Sequence, residues 1–115
     1  MRTPKLMERE LRRTLRRPDT RLRTTELNGT TLAWVDYDGR VVEVVLDPMR
    51  GGLIESLVHE LIHAVYAKPL RVWGRNEECL VSALEQEQMQ LINNDEARVR
   101  WWRRAIGQKL DAEDA

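Results

Sequence analysis

The chain has 115 residues, with 19 Lys and Arg against 19 Asp and Glu, which leaves room for one domain around one core. The balance hides a split: residues 1–23 carry nine basic and three acidic side chains, so that segment holds a net +6 and the remainder −6. This excludes a uniformly basic nucleic-acid binder and a uniformly acidic solubilising chain, but not a basic amino-terminal segment on an acidic body. The lone Cys79 excludes an intramolecular disulfide scaffold and suits a reducing cytosol. No apolar run approaches the ~18–20 residues that span a bilayer, and the start, MRTPKLMERELRRTLRR, lacks the apolar stretch of a secretory signal. A cytoplasmic single domain over residues 1–115 is expected.

Residues 4–17 have the marks of a short helix within a basic segment 1–18. Thr3 stands at the N-cap, Pro4 at the first helical position, Met7, Leu11 and Leu15 at four-residue spacing, and Pro18 at the stop. From Arg21 to Leu46 the period changes to two, with Asn28-Gly29 and Asp38-Gly39 as turn signals. This predicts a three-stranded antiparallel meander over 21–27, 31–36 and 40–46. Asp47-Pro48 closes it, and Gly51-Gly52 precedes LIESLVHELIHAVYA, a helix apolar around most of its circumference and therefore expected at the centre. Asn76 is a good cap for a third helix to about Ile92, and Asp95 opens a fourth bearing Val99, Trp102, Ile106 and Leu110. Residues 111–115, DAEDA, are expected to fray. The fold class expected is α+β, a small antiparallel sheet packed on the central helix with helices flanking it.

The central helix holds the chain's only two histidines, in His59-Glu60-Leu61-Ile62-His63, an HExxH pattern. One helical turn separates His59 from His63, which puts both imidazoles on one face at a spacing suited to a single Zn²⁺. Glu60 stands beside them as a general base for water. A catalytic zinc needs a third protein donor, and with no further histidine the candidates are Glu77, Glu78 and Cys79, opening the next helix. Leu80, Val81, Leu84 and Leu91 define that helix's expected packed face, with Glu77 near its centre and Glu78 roughly 100° away. Glu77 is thus the expected ligand and Glu78 the alternative, while Cys79 reads as a small buried hydrophobe. Tyr66 is a candidate for the transition state, and Glu55 for orienting a ligand imidazole. The strand 40–46 is expected beside the site, where an extended peptide would add as one more strand.

LIESLVHELIHAVY followed by NEECLVSALE resembles the short gluzincin-type metallopeptidases, the HExxH-plus-glutamate group that includes ImmA/IrrE-type proteases and small bacterial and phage proteins. The resemblance covers roughly residues 40–92. It implies a minimal zincin-like domain, one zinc held by His59, His63 and a glutamate matching Glu77, Glu60 as general base and acid, and a protein or peptide substrate. Larger gluzincins carry an acidic residue four positions after the ligating glutamate; this chain has Val81 there, or Ser82 if Glu78 ligates.

Arg9, Arg12, Arg13, Arg16 and Arg17 crowd the first helix. They read as a solvated face packing on the acidic body, with contact to nucleic acid or an acidic protein as the alternative function. No aromatic residue is interleaved with them in sequence, as single-strand binding would favour. Trp102 reads as core; Trp101 and Trp73 are candidates to line a groove.

Overall fold

Thr3 and Pro4 open the first helix as their chemistry dictates. In a computed structural model of the chain, which describes residues 3–24, 35–37, 41–46, 52–67 and 76–114, α1 spans Pro4–Arg16. The Thr3 hydroxyl accepts the Leu6 N–H at 3.2 Å, satisfying one of the amides that a helix start leaves orphaned. Met7, Leu11 and Leu15 are buried, and sinking each leucine stabilises the fold by about 1.5–3 kcal/mol relative to exposure.

The sheet corrects the expected meander, and with it the α+β antiparallel class. Strands β1 (Arg21–Thr24), β2 (Val35–Tyr37) and β3 (Val41–Leu46) lie in the order β1-β3-β2. β1 pairs with β3 in parallel, while only the short β2 runs antiparallel to it. Among the described residues the molecule is mainly helical, with this small mixed sheet at one side. The physical signal for the parallel pair is Val44-Val45-Leu46, three consecutive buried residues. A strand covered on both faces reads as a continuous apolar run rather than an alternation. Because β3 is central, the expected addition of a substrate strand along 40–46 loses its free edge. The turn signals Asn28-Gly29 and Asp38-Gly39 both lie outside the described residues.

Helix α2 (Leu53–Ile62) starts at Gly52, whose φ of 78° is a left-handed conformation that glycine adopts without strain. It continues into a π-helical turn at His63–Ala67. Leu57, Val58, Leu61 and Ile62 are buried, as the all-round apolar pattern requires. Helix α3 (Glu77–Asn93) folds back along α2, and α4 (Glu96–Asp114) follows after one turn. The tail expected to fray is helical as far as Asp114. The Asp95 carboxylate caps α4, accepting the Ala97 and Arg98 N–H groups at 2.9 and 3.3 Å. Trp102 is fully buried, in one apolar cluster that draws on all four helices and on β1 and β3.

Two polar ties join the first helix and the turn after it to the last. Glu8, 4% exposed, accepts from Arg12 at 3.0 Å, from Arg98 Nε at 3.0 Å and from Trp102 Nε1 at 3.1 Å. Lys109 Nζ donates to the carbonyls of Arg17 and Thr20, each at 2.7 Å. As α1 advances from Glu8 to Arg17, its partners advance from Arg98 to Lys109, so α1 and α4 run in the same sense.

Candidate metal centre

His59 and His63 project from one side of α2, with ring centroids 5.0 Å apart. α3 crosses that side and brings three carboxylates to the two rings. Glu78 lies between them: Oε1 is 2.6 Å from His59 Nε2 and Oε2 is 2.9 Å from His63 Nε2. Each remaining ring nitrogen has its own carboxylate, with Glu85 at 2.6 Å from His59 Nδ1 and Glu77 at 2.7 Å from His63 Nδ1. Both imidazoles are therefore fixed in orientation by one glutamate and turned toward a shared second one.

Donor atoms of His59, His63 and Glu78 lie within 4.8 Å of one another. Bonds of ~2.0–2.1 Å to one zinc would need them about 3.4 Å apart, the edge of a tetrahedron. The set could thus hold a zinc ion after a modest contraction, and two imidazoles with one carboxylate are donor types that zinc takes. The histidine side chains are 13% and 11% exposed, against 66% for Glu78, so the site opens to solvent on the Glu78 side.

Burial disfavours the charged form of His59, but hydrogen bonds to Glu85 and Glu78, with the charges of Glu78 and Glu60, outweigh it and raise the pKa above the usual 6.5. Glu60 is half-buried on α2 beside His59.

Among the described residues it is Glu78, the alternative candidate, that groups with both histidines, while the expected Glu77 lies 2.7 Å from His63 Nδ1. The packed face of α3 is made by Val81, Gln88, Met89 and Ile92, whereas Leu80 is 42% exposed. Relative to a face drawn through the leucines, the real one is turned by roughly 80° at 100° per residue. That rotation carries Glu78 toward both histidines and leaves Glu77 behind His63. Cys79, expected buried, is exposed on the same first turn.

Glu85 was missing from the sequence reading. It lies seven residues after Glu78, two turns along the same face, with Oε1 2.6 Å from His59 Nδ1. The role suggested for Glu55 is thus filled by Glu85 and Glu77; Glu55 is exposed, with its carboxyl group folded toward Gly52. The Tyr66 hydroxyl donates to the Glu10 carboxylate on α1, so the structure joins Tyr66 to the amino-terminal helix. Trp73 lies outside the described residues.

No protein-family model matches the chain, and neither does any curated protein or solved structure. No helix among the described residues is long and apolar enough to cross a membrane.

Proposed function

We propose that the protein is a zinc-dependent metallopeptidase in which His59, His63 and Glu78 hold one zinc and Glu60 is the general base. The observation that carries this reading is the pair of Nε2 atoms turned toward one Glu78 carboxylate while Glu85 and Glu77 hold the opposite nitrogens. Such backing carboxylates orient imidazoles and raise their basicity as donors. The gluzincin-type pattern of HExxH followed by a Glu-Glu pair supports it independently. The lone cysteine fits a cytosolic setting.

When bound, a zinc ion polarises a carbonyl and acidifies water at its open position. Glu60 accepts a proton from the attacking water and returns it to the departing amine nitrogen. The exposed side of Glu78 leaves room for a peptide to approach.

Protein purified without chelator is expected to carry about one zinc per chain by plasma mass spectrometry, and His59→Ala to carry none. Glu60→Gln should retain the metal and lose at least ~100-fold in cleavage of an unstructured protein. Zinc-free wild type would sink the metal reading, and equal cleavage by wild type and Glu60→Gln would sink the peptidase one.

A further inference from the structure

The arginine-rich helix is not used by the metal centre. Lys5, Arg9, Arg12 and Arg16 recur at i, i+4, i+7 and i+11, which places them along one flank of α1. That flank faces α4, because the guanidinium carbons of Arg12 and Arg16 lie 4.2 and 5.3 Å from the centre of the Trp101 ring. The aromatic residue that is absent from the basic segment in sequence is therefore supplied by the last helix. Arg12 is fixed from below by Glu8, whereas Lys5, Arg9 and Arg16 are exposed. Arg9 and Arg16 are seven residues apart, about 10 Å along the axis, so the flank tracks a line of charge rather than a point.

Beside Trp101 the two helices enclose an open cavity of about 470 Å³. Its walls include Arg16, Arg104, Lys109, Gln108 and the indole of Trp101, with Leu15 and Ala105 completing it and no carboxylate among them. The guanidinium groups of Arg16 and Arg104 give the concave wall a positive potential, and field lines concentrate there. The indole adds a stacking surface, and the exposed Gln108 amide offers both a donor and an acceptor.

We propose that this groove binds single-stranded nucleic acid, with phosphates on Arg9, Arg16 and Arg104 and one base in the cavity against Trp101. Phosphates match planar guanidinium forks. A base fills the apolar part of the cavity and replaces the exposed Arg16 guanidinium on the indole face, whereas an acidic peptide side chain leaves that space empty. A paired base cannot enter without leaving its stack, so the surface favours single strands over duplex.

The test is fluorescence anisotropy of a labelled oligothymidylate titrated with the full chain at several salt concentrations. Three phosphate contacts predict a slope of log affinity against log salt near about −2, from ~0.7 per phosphate. The Arg16→Ala/Arg104→Ala double variant should bind at least tenfold more weakly, with the slope shallower by about 1.4 and an unchanged melting temperature. Trp101→Leu should erase the preference for single strand over duplex. The proposal is overturned if the oligothymidylate fails to bind at low salt, if polyglutamate or the duplex binds equally well, or if the double variant binds as wild type does.

Discussion

At the scale of single residues, the proposed zinc centre would depend on groups that do not touch the metal. Glu85 and Glu77 each hold an imidazole by Nδ1, at 2.6 and 2.7 Å, so removing either frees a ring to rotate. Glu85→Ala is expected to lower zinc affinity about 10- to 100-fold, measured by competition with a chromophoric chelator. Glu55→Ala, on the first turn of α2, should leave it unchanged. The two histidines and Glu60 were legible because HExxH fixes its own geometry on any helix. The glutamates were not, because choosing among them requires the rotation of α3, and Gln88 misleads there: fully buried at the seam, it donates to the Pro4 carbonyl at 2.6 Å, yet a polar residue marks an outer face in an apolar projection. Glu85 had a readable signal in its seven-residue spacing from Glu78.

At the scale of elements, the caps and the α1–α4 contact carry the testable content. The Arg98 N–H draws the Asp95 pKa below 3.8; slight burial opposes it, and the Ala97 N–H and the Arg98 guanidinium reinforce it. Since the folded value lies below the unfolded one, the stabilisation is present above pH 3.8 and is lost as pH falls through the folded value. Melting temperature should therefore drop more steeply below about pH 4 in wild type than in Asp95→Asn, followed by circular dichroism. Glu8→Ala leaves the buried Trp102 N–H without its acceptor while Arg98 keeps Asp95, and should cost about 1–3 kcal/mol, read as a lower urea midpoint at constant slope. Helix starts were legible at Thr3 and Asp95 because their side-chain oxygens act locally. The parallel pairing of β1 with β3 was not, since turn dipeptides report local reversals and say nothing about which edge of a strand a distant one will join.

For the molecule as a whole, a ligand that binds only the folded chain adds to its stability by mass action. Zinc at 100 times its dissociation constant adds about 2.7 kcal/mol, enough to raise the melting temperature of a domain this size by roughly 10 °C or more. Chelator-treated and zinc-loaded protein should differ by that amount in calorimetry, and His63→Ala should abolish the difference while Glu60→Gln keeps it. The ties of α1 to α4 bear on how the chain comes together. Glu85 is 26 residues from His59, whereas Arg98 is 90 residues from Glu8. Closing the shorter loop costs about 1 kcal/mol less chain entropy. As the chain leaves the ribosome, every donor of the α2–α3 hairpin is present once Glu85 has been made, before Arg98, Trp102 or Lys109 exists to receive the first helix. The half of the molecule that would carry the ion is complete in order of synthesis, and the arginine helix must wait for the last helix to arrive.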